Sequence, residues 1–117
     1  MNNHKDLKVW QKSVSHVVAV YRITRAFPNE EIFGIVSQMR RAAVSIPSNI
    51  AEGYGRIYDK ETVKFLSIAL GSASELETQL IISKDLGYLS EDDYQLLIGQ
   101  IEEIIRMLTG LIKSLGN

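Results

Sequence analysis

The segment RRAAVSIPSNIAEGYGR, residues 40–56, is the part of the sequence that decides the fold. Its apolar side chains recur at the three- and four-residue spacing of a helix, yet Pro47 stands in its middle. A proline has no N–H to donate, and its ring crowds the carbonyl group four residues earlier, which costs about 3 kcal/mol inside a helix. Either one helix ends at Ile46 and another begins at Pro47, or a single helix is kinked near residues 43–47. Because isoleucine is a poor N-cap, the single kinked helix is preferred.

Small side chains surround this proline and predict close packing between helices. Alanine and serine dominate residues 42–51, so the backbone of another helix can approach that part of the segment. Residues 71–74, GSAS, form a similarly thin stretch farther along the chain.

Outward from this segment, apolar residues keep a helical period along nearly the whole chain. Helices are predicted at about residues 7–26, 30–54, 59–86 and 90–115. The predicted N-caps are Asp6, Asn29 and Ser90. Gly87 is predicted to close the third helix. No segment of comparable length alternates with period two. The sequence therefore predicts an all-α fold in one domain, residues 1–117, as an antiparallel up-down-up-down four-helix bundle.

Composition excludes several classes of protein. The chain has 117 residues and no cysteine, which excludes disulfides, thiol nucleophiles and cysteine zinc sites. No apolar run approaches the roughly 20 residues that cross a bilayer, and no signal-peptide pattern opens the sequence, so a soluble cytoplasmic protein is expected. Residues 1–64 carry ten Lys/Arg against six Asp/Glu, a balance of +4, whereas residues 65–117 carry three against eight, a balance of −5. This asymmetry predicts polar subunit packing or one basic face.

The sequence offers no recognisable catalytic or metal-binding arrangement. The only histidines are His4 and His16, and neither follows a glutamate by three residues, as a di-iron bundle requires. The glycines at 53 and 55 follow a helix rather than a strand and lack the lysine of a phosphate-binding loop. The protein is therefore expected to have no enzymatic activity, catalytic residue, metal or cofactor. A composite site between subunits, where Glu52 meets a neighbour's arginine, is the one enzymatic alternative.

Basic residues gather around the opening segment. The candidates for binding RNA or DNA are Arg40, Arg41, Arg56, Lys60 and Lys64. Clustered cations suit phosphate because each neutralised phosphate releases counterions. Two nearby aromatic side chains, Tyr54 and Tyr58, can stack on unpaired bases. The alternative is that these charges form a solvated surface with a salt-bridge network.

The first helix carries two apolar rows, whereas a helix of an isolated bundle needs only one. The row assigned to the core comprises Leu7, Trp10, Val14, Val17, Val18, Tyr21 and Thr24. A second row indicates a second contact, most simply with another subunit. The predicted subunit-interface residues are therefore Val9, Val20, Ile23, Phe27 and Glu52. Glu52 either tethers Arg56, four residues later, or bridges to an arginine of a neighbour.

Several motifs together resemble the 23S rRNA-intervening-sequence protein family. They are LKVWQKSV at residues 7–14, FPNEEIFGIVSQMRRAAVSIPSNIAEGYGR at 27–56, FLSIALGSASELETQL at 65–80 and SKDLGYLS at 83–90. The resemblance covers nearly the whole chain, and the family is similar to the accessory variability proteins of diversity-generating retroelements. It implies a bacterial four-helix bundle assembled as a homopentameric ring, without enzymatic activity. It transfers no binding residue.

Two functions remain open from the sequence. The first is a non-enzymatic oligomer that binds RNA or DNA through a basic face. The second is an adaptor or scaffold for a nucleic-acid enzyme, with a polymerase or a ribosome-associated protein as its partner and no direct contact with nucleic acid.

Overall fold

The computed structural model describes residues 3–116, and four long helices account for most of them. They are α1 (Lys8–Thr24), α2 (Ile35–Tyr54), α3 (Asp59–Asp85) and α4 (Glu91–Gly116). Two short 3₁₀ turns, His4–Asp6 and Asn29–Glu31, precede α1 and α2. Within residues 3–116 there is no strand, which confirms the all-α class and the number of helices. The predicted domain limits, residues 1 and 117, lie outside the described residues.

All four helices contribute to one hydrophobic core. Its largest fully buried apolar side chains are Val20, Met39, Ile46, Ile50, Leu66, Leu76, Leu80, Leu97, Ile101, Ile104 and Leu108. When the smaller buried side chains are included, buried residues recur about every three or four positions along each helix, so each helix turns one continuous side toward the others. Burial of these side chains is the main favourable contribution to folding.

The segment that opened the sequence forms one uninterrupted helix. α2 continues through Pro47, which confirms the continuous helix and excludes a second start at that residue. Pro47 is buried, and the carbonyl of Ala43 can receive no N–H from it. Small polar side chains nearby bring α2 close to α3: the hydroxyl oxygens of Ser45 and Ser72 are 2.8 Å apart. Asn49 donates to the carbonyl oxygen of Ser45 at 2.8 Å and to its hydroxyl at 2.9 Å, which fixes the serine in place.

Cross-helix hydrogen bonds define how the helices pair. Three of them join α2 to α3, with residue numbers that rise along one helix as they fall along the other: Met39 with Ser83, Ser45 with Ser72, and Gly53 with Thr62. Two polar contacts join α1 to α4 in the same opposed order: His16 with Gln100 and Lys12 with Glu103. Arg40 of α2 binds Thr24 of α1. Among the described residues α1 and α3 do not pack against each other, so they are diagonal in the bundle.

Two predicted helix starts are wrong. α1 begins with Leu7 at its N-cap, and Asp6 instead belongs to the preceding turn, where the amide of Asn3 donates to its carboxylate at 3.4 Å. Asn29 begins a 3₁₀ turn, and α2 starts only after Gly34, five residues later than predicted. The reason is a long-range contact: Glu31 accepts a hydrogen bond from the Tyr88 hydroxyl at 2.8 Å, which holds the turn against the α3–α4 connection.

Two other helix ends follow the prediction. Ser90 caps α4, because its hydroxyl oxygen accepts from the amide of Asp93 at 3.1 Å. Gly87 closes α3 with φ at +79°, a conformation that favours glycine. The amide of Gly87 donates to Lys84 and that of Tyr88 to Ser83, both at 2.9 Å, which is the pattern of a Schellman motif.

Replacing Gly53 with alanine tests the close approach of α2 to α3. An added Cβ would lie 3.0 Å from both the carbonyl oxygen of Thr62 and the Cβ of Phe65. We expect Gly53→Ala to lower the free energy of unfolding by about 1–3 kcal/mol, the usual cost of overpacking. Urea denaturation followed by circular dichroism measures this value.

Gly71 provides the matched control. It lies exposed inside α3, and an added Cβ would meet nothing within 4 Å. We expect Gly71→Ala to raise the free energy of unfolding by roughly 0.5–1 kcal/mol, because alanine favours a helix over glycine. Equal effects of the two substitutions at one protein concentration would contradict the close contact at Gly53.

Candidate functional site

The structure buries the second apolar row of α1 in the core of its own chain. Val9, Val20, Ile23 and Phe27, the predicted interface residues, are only 3%, 0%, 8% and 5% exposed. They lie in the core of their own chain and have no surface left for a partner, so their assignment to a subunit interface is wrong. The buried row also contains two polar residues, Ser13 and His16, which made it look the less apolar of the two in the sequence.

The other row lies at the edge of the core, where Leu7, Trp10 and Val17 pack against it. We call Trp10, Val14, Val17, Val18 and Tyr21 the exposed apolar face of α1. Val18 is 60% exposed and Tyr21 38%, and the remaining three are partly buried. Thr24, assigned to the same row in the sequence, is buried. On α2, Val44 follows Arg40 by one turn and is 40% exposed, which extends apolar surface beside this face.

Arg40 is fixed against the end of this face. Its Nε donates to the Thr24 hydroxyl oxygen at 3.1 Å and its Nη2 to the Tyr21 carbonyl oxygen at 3.3 Å. Its Cζ lies 4.6 Å from the centroid of the Tyr21 ring, a cation–π contact. These contacts hold the guanidinium in place while part of it still faces solvent. It borders a cleft of about 310 Å³ whose lining also includes Arg25, Phe27, Ile32 and Val36.

Arg41 lies on a different side of α2. It borders a cleft of about 430 Å³ between α2 and α3, with Gln38, Ser45, Ser72 and Glu75. Consecutive helical residues differ in direction by about 100°, so one arginine faces α1 and the next faces α3. The pair RR of the sequence therefore does not act as one double charge.

The remaining three predicted cations lie at the far end of α2 and the start of α3. Arg56 binds Glu52, with Nη2 to Oε2 at 2.8 Å, and its Cζ lies 4.8 Å from the Phe65 ring centroid. Glu52 thus tethers an arginine of its own chain, which removes the reason for placing it at a subunit boundary. Lys60 and Lys64 are exposed, and the acids Asp59 and Glu61 are interspersed with them.

The five predicted cations do not form one surface. Arg41 and Arg56 are fifteen residues apart on or next to the same helix, about 22 Å along its axis. Arg40 and Arg56 already bind groups of their own chain. By contrast, no acid occurs in residues 7–29, whereas Arg22 and Arg25 stand in this stretch. Arg22 and Arg25 are both exposed near the end of α1, so the structure adds them to the candidate basic residues.

Sequence reasoning missed several exposed side chains. Phe33 is 95% exposed and Ile57 88% exposed, in the connections before α2 and before α3. Both stand in short irregular segments, where helical periodicity gives no indication of burial. Arg25 was not assigned to a site, because its place at the Arg40 cleft depends on tertiary contacts.

His16 is the one buried histidine. It is 0% exposed, and its Nδ1 lies 2.7 Å from the amide oxygen of Gln100. Since that oxygen only accepts, Nδ1 carries the hydrogen and Nε2 holds a lone pair, which is buried without a partner. Burial lowers the pKa of His16 below its ordinary value of 6.5, and the Gln100 hydrogen bond opposes this in part. The adjacent charges, Lys12 and Glu103, bind each other at 3.3 Å.

Two further absences concern the described residues. Residues 3–116 hold no group of three or more side chains arranged to bind a metal ion. No helix in that range combines the length and the apolar character that crossing a membrane requires.

Comparisons with known proteins agree with this fold. A family model described as 23S rRNA-intervening sequence protein matches residues 5–110. The chain is also similar to the crystal structure of a protein from Bacteroides thetaiotaomicron VPI-5482, described as a protein with unknown function from the S23 ribosomal protein family. The two are 27% identical, with a TM-score of 0.83, and the match covers 90% of this chain and 95% of that chain. No curated protein matches the chain. The family match confirms the resemblance indicated by the sequence motifs.

His16 predicts that stability falls in mild acid. The unfolded chain binds a proton at this residue below about pH 6.5, whereas the folded chain binds it only at lower pH. The contribution of neutral His16 to the free energy of unfolding is therefore fully present above pH 6.5 and is lost as the pH falls below that value. Urea midpoints measured from pH 7.5 to 5 should decrease for the wild type and decrease less for His16→Gln. His4→Gln is the control, and an equal loss of the pH dependence in that variant would contradict the assignment.

Proposed function

This chain belongs to the 23S rRNA-intervening sequence protein family, and we propose that it acts as a non-enzymatic, self-assembling scaffold that docks proteins on its helix surfaces. The proposal includes the up-down-up-down order of helices and the homopentamer that the family resemblance implies. The observation that carries it is the exposed apolar face of α1, beside which Arg25 and Arg40 border a cleft.

The composition of this face is typical of protein interfaces. Tryptophan, tyrosine and arginine are enriched where proteins bind each other, and lysine and glutamate are depleted. Residues 10–25 contain Trp10, Tyr21, Arg22 and Arg25, with one lysine and no acid. Trp10 and Val17 pack in part against the core, whereas Val18 and Tyr21 are exposed and leave apolar surface open to a partner. A partner protein, either another copy or a nucleic-acid enzyme, is the occupant that such a face favours.

The polar residues that suggested chemistry are engaged in structural contacts. Glu52 pairs with Arg56 of its own chain, and His16 is enclosed in the core against Gln100. A general base must reach a substrate proton to within hydrogen-bond distance. These two placements support the non-enzymatic part of the proposal.

Substitution of Val18 tests the scaffold proposal. Val18 is 60% exposed, so glutamate is accommodated in the monomer but places a charge in the proposed interface. We expect light scattering to show a multimer for the wild type at micromolar concentration and a lower mass for Val18→Glu. Ile68→Glu, at a residue 43% exposed on α3, is the control and should keep the wild-type mass. A wild type that is monomeric, or a Val18→Glu variant that assembles normally, contradicts the proposal.

Binding of RNA or DNA is the second candidate function. Arg41, Lys60 and Lys64 form no salt bridge within the described part of the chain, so their charges are available to phosphate. A multimer would repeat these cations in every copy, and repetition converts weak single contacts into useful avidity. This candidate requires two separate contacts, since Lys60 and Lys64 lie one turn apart on α3 whereas Arg41 lies on α2.

Salt dependence tests the nucleic-acid candidate. Fluorescence anisotropy with structured RNA and with duplex DNA, from about 50 to about 200 mM salt, should show affinity that falls steeply with salt. Lys60→Glu with Lys64→Glu should weaken binding and reduce the salt slope by about one for each phosphate that is no longer bound. Lys5→Glu with Lys113→Glu, at two exposed residues far from these lysines in the sequence, has the same net charge and is the control. Binding that is unchanged in the first double variant, or equally weakened in both, would exclude these lysines.

A further inference from the structure

We propose that the partner of the exposed apolar face of α1 is a row on α3 of a second copy, so that copies join head to tail. This inference rests on the proposed self-assembly and identifies the two surfaces that meet. The α3 row comprises Glu77, Ile81 and Asp85.

The α1 side of this contact is apolar with a cation at one end. Val18, Tyr21 and Arg25 stand three and four residues apart, so they share one side of the helix. All three are exposed, and Arg25 is the C-cap residue, so its charge lies at the very end of α1. Arg25 forms no salt bridge within the described part of the chain.

The α3 side is the complement of this arrangement. Glu77, Ile81 and Asp85 stand four residues apart on one side of α3, and Ile81 is 44% exposed. Asp85 is the last residue of α3, where its carboxylate faces the negative end of the helix dipole. The negative end of the helix dipole repels the Asp85 carboxylate. Among residues 3–116 neither Asp85 nor Glu77 forms a salt bridge, so no cation of the same chain offsets this repulsion. A cation from another molecule would offset it.

The fold puts these two rows on opposite sides of the molecule but at the same end. α1 and α3 are diagonal, so their outward sides point away from each other. The ends of the two helices nevertheless coincide, because Phe27 just after α1 and Tyr88 just after α3 have ring centroids 5.4 Å apart. Arg25 and Asp85 therefore lie at the same height on opposite sides. Two copies placed side by side in the same orientation bring one copy's Arg25 toward the other's Asp85.

This geometry determines the kind of assembly. In a pair of copies joined through two different surfaces, one copy still has a free α1 face and the other a free α3 row. Further copies therefore add at both ends until a ring closes. Burial of Val18 against Ile81 supplies the apolar contribution, and the charges set the orientation of the copies. Head-to-tail contact also explains why the positive and negative halves of the sequence coexist in one small chain.

A charge exchange between the two rows tests this inference. Arg25→Glu should weaken assembly about tenfold or more, because it places two carboxylates at the contact. Asp85→Lys should weaken it similarly, because it opposes Arg25, while it favours the end of α3 in the isolated chain. The variant with both substitutions restores opposite charges and should recover most of the wild-type affinity. Dilution series by light scattering or sedimentation give the dissociation constants, with circular dichroism to check folding.

A second double variant controls for net charge. Arg25→Glu with Glu102→Lys has the same net charge as the exchanged pair but reverses an acid on α4, and it should remain weakened. Equal recovery in both double variants, or no effect of Arg25→Glu, overturns the inference. Arg25→Gln removes the attraction without adding a second carboxylate and should weaken assembly less than Arg25→Glu, and an equal loss in both variants would contradict the charge contact. A monomeric wild type contradicts the self-assembly itself, whereas a wild-type multimer insensitive to these variants contradicts only the choice of surfaces.

Discussion

Gly53 allows α2 to lie so close to α3 that the Thr62 hydroxyl donates directly to the carbonyl oxygen of residue 53, at 2.7 Å. The next contact along the pair, between Ser45 and Ser72, also uses only hydroxyl groups. Side chains this small cannot fill a wide gap, so the two helices must be near each other along most of their length. Pro47 lies between these contacts and leaves a carbonyl of α2 without its helical partner. The rest of the bundle is arranged around this close pair.

Placing α2 against α3 has consequences for α1. α1 packs on the other side of α2 and meets α4, where His16 binds Gln100. Thr24 donates to the Val20 carbonyl oxygen and accepts from Arg40, so a buried hydroxyl is fully used. The side of α1 that contains His16 is the buried one, and these bonds satisfy the His16 Nδ1 and the Thr24 hydroxyl, while the His16 Nε2 has no partner. Val18 and Tyr21, on the other apolar row of α1, are left at the surface.

Local chemistry explains which parts of the fold were predictable. The C-terminal end of α3 was predicted from Gly87 and the start of α4 from Ser90. Both were predictable because a left-handed glycine and a serine cap act within a few residues. The start of α2 did not follow, since Glu31 is drawn to Tyr88, a residue 57 positions later. The second row of α1 was wrongly assigned to a partner because periodicity reports amphipathic character but does not state which apolar side faces the core.

The candidate site was less predictable than the fold, and the arginines show why. In sequence, Arg40, Arg41 and Arg56 look equivalent, since each is a cation in a helical segment. Their tertiary contacts make them different: Arg40 is held on Tyr21 and Thr24, Arg56 is neutralised by Glu52, and only Arg41 has neither restraint. Such contacts depend on which helix lies beside each residue, which periodicity does not specify.

Arg40 is already ordered by contacts within its own chain. It therefore loses less conformational freedom on binding a partner than an unrestrained arginine would. The same holds for the aromatic ring of Tyr21 beneath it. Preordered arginine and tyrosine next to an exposed valine are the elements of an efficient protein interface. Phosphate binding requires charge alone and gains little from the apolar side chains. The contacts around Arg40 therefore favour a protein over a nucleic acid as the occupant of the α1 face.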